Sequence, residues 1–578
     1  MAESTVASNN IEDNKHQNNP YAYLSRDDFT SEKFKIEVSG LPKYYGIKEF
    51  KKLLNDKLHL NTCKVKPLKK KSHWMFVAFR NEDDRERAIS IIDGYMWKNC
   101  KLMAKKAKAA PDPLIKRRIE ADADTCNKKI KFDENGEEIP TSELVKSSTI
   151  PLWDVPYSEQ LSFKQKEMKS IITQLGENIS RENRSLGSWV KKQQEKNDGL
   201  ICELKPILST NVTEGYRNKC EFTIGKSRDG DEIIIGFRLA SYAAGSTAVG
   251  PIDDLCHISS RMKTAVKIFQ NFVKESKLDV YDPVCHTGFW SQVVARTSRL
   301  DHLMLIIAVH PQDMTEDQLT ELKSKIRNFF EEGEGKEANV TSLYFKIMKK
   351  KNSEDEDDSK NYEHLSGCLY IEELLFDLKL RISPRAFFQI NTHGAEVLYK
   401  AAIELAECNS ENTSFLDICC GTGTIGLCFA KYCGEVLGLE MIKEAITDAK
   451  ENAKRNNITN CDFFVGKAED LLKAVIQRTT KSEIIAVVDP PRAGLHHHAL
   501  LSLRKAKKLT KLLYISCDPK AAIKNLIDFA RPVSKTLSGE PLVPVKAIPV
   551  DMFPHTNHCE LVILLERIGN LQNTDNTT

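Results

Sequence analysis

A cysteine, several carboxylates and a run of glycines in the last third of the chain have the types and spacing for chemistry. The apolar run Leu512-Leu513-Tyr514-Ile515 ends in Ser516-Cys517, and Asp518-Pro519 follows at once. Such a run reads as a short buried strand closed by an Asp-Pro turn. Ligands of open α/β sheets lie beyond the carboxyl ends of the strands, so a thiol at that end is placed to act as a nucleophile. A cysteine is otherwise a small buried hydrophobe, and a second constellation upstream tips the balance. Residues 415–418 form an apolar strand running into Cys419-Cys420-Gly421-Thr422-Gly423-Thr424-Ile425-Gly426, with a helix expected through residues 427–432. Glycines at such a turn let the backbone approach a ligand closely. The next strand, residues 436–440, ends in Glu440, 19 residues after Gly421. That spacing suits a carboxylate accepting hydrogen bonds from ribose hydroxyls. Gly421, Gly423 and Gly426 also satisfy G-x-G-x-x-G, so a dinucleotide has to be weighed as the ligand.

Against a dinucleotide, Asp417 sits inside the strand before the loop, and a further strand ends in Val487-Val488-Asp489-Pro490-Pro491-Arg492. Together these features resemble S-adenosylmethionine (SAM) methyltransferases. The resemblance then narrows. Asp489-Pro490-Pro491-Arg492-Ala493-Gly494, Ser516-Cys517-Asp518-Pro519 and His558-Cys559-Glu560 resemble the three catalytic-domain motifs of the RNA (uracil-5)-methyltransferases, and the likeness covers about residues 200–567. It implies that Gly421, Glu440 and Asp489 serve SAM. Pro384-Arg385-Ala386-Phe387-Phe388-Gln389-Ile390-Asn391 resembles the family's phenylalanine–glutamine segment. There Phe388 is expected to pack on cofactor or base and Gln389 to hydrogen-bond the methionine portion; by itself the stretch passes for a buried strand. Gly215-Tyr216-Arg217-Asn218-Lys219-Cys220-Glu221-Phe222 resembles an element lining the family's RNA cleft. Arg217 and Lys219 alternate along a strand, so both can face a phosphate backbone. Arg492, in the turn after Asp489, is expected to hold a phosphate or else only an acidic neighbour.

The implied chemistry explains why these residue types must meet. Carbon 5 of uracil is a poor nucleophile. A thiolate adding at carbon 6 makes an enolate whose carbon 5 can accept a methyl group, and a base must then remove the carbon 5 proton so that the thiolate leaves. Cys517 is assigned as nucleophile and Glu560 as base. Glu560 opens the apolar run 561–565, so it too stands at a strand end. An RNA (cytosine-5)-methyltransferase is the nearest rival, but the slot that usually holds a Pro-Cys there is Pro490-Pro491-Arg492 here. A non-catalytic RNA-binding chaperone or scaffold is the alternative of a different class; the intact Cys517 and Glu560 argue against it.

Elements that would position these residues fill the rest of the 578-residue chain, which is long enough for about three domains. Sixteen cysteines in such a length fall below disulfide-scaffold density and read as reduced thiols. No CxxC pair occurs, and neighbouring side chains in His496-His497-His498 do not converge on one ion, so no metal is expected. No run of about 18 apolar residues suggests a membrane span. The polar residues 1–19 lack signal-peptide character, so a cytoplasmic or nuclear protein, acting as a monomer, is expected.

Charge is unevenly spread. Residues 33–108 hold 20 Lys and Arg against 8 Asp and Glu, a net of +12 in a chain whose total is +3. A basic module on an acidic remainder points to a polyanion, here RNA. Strand patterns at 34–41, 74–79 and 101–104, with helices at 47–58 and 85–92, resemble an RNA-recognition motif (RRM), whose sheet stacks bases on aromatics. Trp74 and Phe76 match the two aromatic positions of its longer signature. Glu37 departs from the shorter one, and His73 and Met75 replace small residues.

The architecture expected is an α/β multidomain chain. A tail (1–32) precedes an α+β RRM-like domain (33–108), then a linker and helical segment (109–195). A mainly β RNA- and substrate-binding region (196–380) and a Rossmann-like SAM methyltransferase domain (381–567) follow, with a short tail (568–578). Residues 116–118 and 128–131 carry basic clusters in the spacing of a bipartite nuclear signal. The substrate implied by the resemblance is tRNA, at its T-loop uridine, because attack at carbon 6 requires an accessible ring face.

Overall fold

Alternating apolar and polar residues build a small antiparallel sheet near the start of the chain. In order β2-β3-β1-β4 its strands are Lys64–Pro67 (β2), Trp74–Ala78 (β3), Lys35–Ser39 (β1) and Met103–Lys106 (β4). The computed structural model describes residues 21–25, 30–42, 45–67, 72–112, 139–230, 232–240, 246–348, 358–408, 410–569 and 571. The basic clusters at 116–118 and 128–131 fall outside these. The chain divides into two compact units, residues 1–139 with 240–247, and residues 140–239 with 248–578.

In the first unit, Ile36, Val38, Met75 and Val77 point to one face and pack on Phe50, Leu54, Ala88 and Ile92. The last four come from helix α1 (Ile47–Lys52), the π-helical turn Leu53–Lys57 that continues it, and helix α2 (Glu82–Ile92). Asn81 caps α2 by accepting the Asp84 N–H, and Glu82, Asp83 and Asp84 complement the positive end of its dipole. The opposite face carries Glu37 across from Phe76 and Ser39 across from Trp74. Strand β2 was not expected from the sequence: its Lys-Val-Lys-Pro run has a single apolar residue, and pairing with β3 supplies what propensity lacks.

Among its described residues the second unit holds two large sheets and a two-stranded one, Ile371–Leu375 paired antiparallel with Leu378–Ile382. A seven-stranded sheet in order β8-β7-β6-β9-β10-β11-β12 contains β6 (Lys219–Lys226), β7 (Ile233–Arg238), β8 (Val249–Gly250), β9 (Trp290–Thr297), β10 (Leu303–Val309), β11 (Ser342–Ile347) and β12 (Tyr362–Gly367). Only β10 and β11 pair in parallel. An eight-stranded sheet forms the catalytic half. Its strands are β5 (Glu203–Leu204), β13 (Ser410–Ile418), β14 (Cys433–Glu440), β15 (Cys461–Val465), β16 (Glu483–Val488), β17 (Leu509–Ser516), β18 (Leu542–Val550) and β19 (Glu560–Arg567), in spatial order β15-β14-β13-β16-β17-β19-β18-β5. The run from β15 to β17 is parallel, and β19 alone is inserted antiparallel to its neighbours. The order reverses between β13 and β16, which is where ligands of doubly wound sheets lie.

The expected helical segment before residue 195 is helical and is packed into the core. Helix α3 (Tyr157–Glu182) and helix α4 (Gly187–Lys196) bury Met168, Ile171, Ile172, Leu175, Ile179, Trp189 and Val190 in the same core as Leu416, Leu512 and Phe529. The mixed charges of α3 occupy the outer face of an amphipathic helix. Residues 201–208 form only the two-residue strand β5, paired with Lys546 and Ala547, and 384–391 is an irregular segment rather than a strand. Among the described residues no helix is long and apolar enough to cross a membrane, and no group of three His, Cys, Asp or Glu can hold a metal. His496 accepts the His498 N–H through Nδ1 and caps the helix His497–Lys505.

Candidate active site

Strand β17 ends at Ser516, and the turn beyond it is fixed twice over. Ser516 Oγ accepts the Asp518 N–H at 3.2 Å, and Asp518 Oδ1 accepts the Ala521 N–H at 3.1 Å, capping helix α6 (Pro519–Ala530). Pro519 stands at the start of that helix, where its missing N–H costs nothing. Cys517 is left half-buried at the carboxyl edge of the sheet, just ahead of a helix N-terminus that favours a thiolate. Strand β19 supplies its counterpart. The last antiparallel pair is Ser516 with Leu561, so one step further the two chains present Cys517 opposite Glu560. The neighbouring strand β18 pairs Val550 with Glu560 from the other side.

Electrostatics couple these groups to Asp489, which follows β16. Burial raises the Cys517 thiol above its ordinary value; the Glu560 and Asp489 carboxylates push the same way, and a hydrogen bond from Arg492 opposes them. Glu560 is 3 % exposed. Burial holds its carboxyl well above the usual carboxylate range, with Asp489 adding to the effect. Asp489 itself is pushed up to about 7 by burial. Two neighbouring buried carboxyls do not both ionise easily, and both are held above the usual carboxylate range. Glu560 Oε2 has no hydrogen-bond partner among the described residues, which leaves a buried lone pair free to take a proton.

The cofactor side lies at the ends of β13 and β14. Cys419, Gly421 and Gly423 adopt φ of +66°, +54° and +77°, so the chain after β13 coils back on itself before helix α5 (Thr424–Phe429). The cysteine in this left-handed region is strained, as backbones at ligand sites often are. Glu440 braces the loop: Oε2 accepts the Gly421 N–H at 3.2 Å and Oε1 the Ile442 N–H at 2.9 Å. Asp417 Oδ2 accepts the Gly426 N–H at 2.7 Å, and burial pushes its carboxyl up to about 7. Gln389 Nε2 donates to Asp489 Oδ2 at 3.3 Å, which ties the irregular 384–391 segment to the buried carboxyls.

These residues fit a nucleoside-bearing cofactor. A carboxylate stands at the end of the second strand, glycine backbone is bared beside it, and Asp417 Oδ1 and Thr422 Oγ1 are buried without partners. Glu440→Ala is therefore expected to weaken SAM binding by roughly 1.5–3 kcal/mol, the scale of charged hydrogen bonds. Calorimetry on a variant with an unchanged melting transition checks this.

One expected residue is displaced. Phe388 is 3 % exposed and belongs to the hydrophobic core, so it cannot stack on a ligand. Its neighbour Phe387 is 62 % exposed, and a Cβ built on Gly421 would meet the Phe387 carbonyl and ring at 3.7 and 4.0 Å. The exposed aromatic beside the glycine loop is thus Phe387. Exposed Met441 and Val465, at the ends of β14 and β15, also went unnoticed in the sequence. The one available signal was an apolar residue placed directly after the strand-terminal acid.

On the RNA side Arg217 and Lys219 are both half-buried and alternate with buried Tyr216, Asn218 and Cys220, as expected for one face of an extended strand. Lys219 Nζ lies 2.8 Å from Glu221, and Arg217 Nε donates to the Lys219 carbonyl at 3.1 Å. Asn218, inward between them, was missed: its Nδ2 donates to the Gln389 carbonyl and to Thr392 Oγ1, both at 2.9 Å. Arg492 is exposed beside Cys517. In the first unit Trp74 and Phe76 are half-buried, with ring centroids 5.0 Å apart edge to face, and Lys35 Nζ sits 4.3 Å from the Phe76 ring centre.

Comparison with known proteins follows the same lines. The family profile described as tRNA (Uracil-5-)-methyltransferase matches residues 361–568. The Homo sapiens protein tRNA (uracil-5-)-methyltransferase homolog A is 38% identical over 554 residues, 96% of this chain and 86% of that one. The Homo sapiens homolog B is 38% identical over 421 residues, 72% and 82% of the two chains. A crystal structure of Pyrococcus abyssi tRNA (uracil-54, C5)-methyltransferase in complex with S-adenosyl-L-homocysteine shares the fold, with a TM-score of 0.50 at 24% identity over 72% of this chain and 84% of that one. With a cysteine, a carboxylate pair and a glycine loop meeting at the edge of the same sheet, this chain belongs to the tRNA (uracil-5-)-methyltransferase family.

Proposed function

We propose that this protein methylates carbon 5 of the T-loop uridine of tRNA, with Cys517 as nucleophile and Glu560 as base. The observation that carries the reading is the register of β17 and β19, which sets Cys517 opposite Glu560 at the ligand edge of the sheet. SAM, when bound, supplies an electrophilic methyl group to the activated carbon 5. Cys517 Sγ adds to carbon 6, and the electron pair of the carbon 5–carbon 6 double bond moves toward carbon 5 and its neighbouring carbonyl oxygen. After methylation Glu560 accepts the carbon 5 proton. The electrons of that bond re-form the double bond, and the carbon 6–sulfur pair returns to Cys517 as thiolate. Gly421, Glu440 and Gln389 hold the cofactor, with Phe387 in the place first given to Phe388. Asp489 shares charge with Glu560. Arg217, Lys219 and Arg492 meet phosphates.

The first unit is read as an RRM-like domain that adds RNA affinity. Its support is the strand order β2-β3-β1-β4 with a helix after β1 and another after β3, the aromatic pair on the open sheet face, and the +12 charge of residues 33–108. The chain is taken to act as a monomer. A tRNA transcript whose T-loop uridine is replaced by cytidine should accept no methyl group, while the unaltered transcript yields 5-methyluridine on digestion. Equal methylation of both transcripts would reject the T-loop assignment. Removing residues 1–110 should weaken tRNA binding and flatten its salt dependence, since fewer counterions are released. A filter-binding titration with unchanged salt slope would assign that unit another partner.

A further inference from the structure

Residues 551–559, the hairpin connection between β18 and β19, deliver Glu560 to the site, and they are anchored from outside the catalytic sheet. Lys164 on α3 is fully buried, with Nζ 2.7 Å from Asp551 Oδ1 and 3.0 Å from the Phe553 carbonyl. The same Asp551 oxygen accepts the Phe553 N–H at 3.1 Å. One helical turn earlier, buried Gln160 accepts the His555 N–H at 2.8 Å and donates to the Leu152 and Val155 carbonyls. Helix α3 also braces α6, which begins two residues after the nucleophile: Lys520 lies 2.6 Å from Glu167, Arg531 3.0 Å from Glu182, and Asn183 Nδ2 donates to the Ala530 carbonyl at 2.8 Å. A single helix, outside the 361–568 span that defines the family, therefore grips the segment after Cys517 and the segment before Glu560.

Stability alone does not account for the ion pair. Removing two charges from water costs several kcal/mol per ion, and well-packed apolar residues often serve a fold as well or better. What an ion pair adds is direction, because it satisfies its hydrogen bonds in one arrangement only. We propose that Lys164 is a positioning residue for the base. Through Asp551 and Phe553 it fixes the hairpin so that Glu560 meets the carbon 5 proton, and it thereby sets the rate of elimination. This rests on the reading of Glu560 as base. In the affected step the proton passes from carbon 5 to Glu560, the carbon 5–hydrogen pair becomes the carbon 5–carbon 6 double bond, and the carbon 6–sulfur pair leaves with Cys517 Sγ. Gly421 and Glu440 stand on the other half of the sheet, so SAM binding is unaffected.

The test compares full-length wild type with Lys164→Met for kcat, KM for SAM, and the amount of covalent protein–tRNA adduct on a denaturing gel at steady state. Displacement of a reacting group by about 1 Å costs about 100-fold, so kcat should fall by roughly that factor or somewhat less, with KM for SAM unchanged and adduct raised above wild type. Unchanged kcat overturns the proposal. So does a fall in kcat with no rise in adduct, which is what simple loss of folded enzyme produces. Because Lys164→Met leaves Asp551 as an unpaired buried charge, the double variant Lys164→Met/Asp551→Leu guards against misfolding. It should fold and still accumulate adduct; a folded double variant with wild-type kcat also overturns the proposal. Glu560→Gln is the separate control for the base assignment: if it traps no adduct, the reading of Glu560 fails independently of Lys164.

Discussion

Cys517→Ala should bind SAM and tRNA, form no covalent complex and transfer no methyl group above background. The reasoning is chemical first. Without addition at carbon 6, carbon 5 never becomes nucleophilic enough to take the methyl group, so the loss concerns a step and not merely an affinity. The substitution is also structurally mild. Cys517 is half-buried after the end of β17, and the turn is held by Ser516 and Asp518, neither of which depends on the thiol. A denaturing gel with labelled tRNA and a melting curve check the two halves of the expectation. An adduct surviving in this variant would name another cysteine. The nearest in sequence to the base is Cys559, which is buried and whose thiol is raised beyond easy ionisation by that burial, so it is a poor substitute.

Glu560→Gln should do the opposite on the same gel. The amide keeps the shape and hydrogen-bonding reach of the carboxyl but does not accept a proton at neutral pH. Addition and methyl transfer proceed, elimination stalls, and the adduct accumulates while turnover falls by about 10²–10⁴, the usual worth of a positioned base. The pH dependence follows from the raised carboxyl. A base works in its ionised form, and burial beside Asp489 holds Glu560 above the usual carboxylate range. The active fraction therefore grows as pH rises above the usual carboxylate range, and turnover should rise with it. Asp489→Asn removes the neighbouring negative charge, so both the Glu560 carboxyl and the Cys517 thiol ionise more readily and the rising limb should move to lower pH. A limb that stays in place would separate Asp489 from the pair.

Much of the catalytic sheet was legible because its strands are buried on both faces and read as nearly continuous apolar runs, as in residues 483–488 and 509–516. Cys517, Glu440 and Asp489 each follow or end such a run, so the sequence alone placed them at the carboxyl edge. That Cys517 and Glu560 stand directly opposite was not legible, since it depends on β19 running antiparallel between β17 and β18. That Phe388 is buried and Phe387 exposed was not legible for a related reason. Alternation assigns faces only within a regular strand, and 384–391 is irregular. Helix α3 was seen as a helix but read as a lead-in, because its burial partners lie more than 350 residues away in Asp551 and His555. Lys164 illustrates the difficulty most sharply. Nothing in a lysine on a mixed-charge helix announces that it is fully buried.

The central claim is that a uracil carbon 5 proton is removed once for every methyl group delivered. Release of tritium to water from full-length tRNA carrying [5-³H]uridine, measured alongside methyl transfer from SAM, tests it most directly. Wild type should release one tritium per methyl group transferred, and in Glu560→Gln release should be severely slowed relative to methyl transfer. Methylated tRNA that keeps its carbon 5 tritium, or release confined to tRNA labelled at cytosine carbon 5, would contradict it.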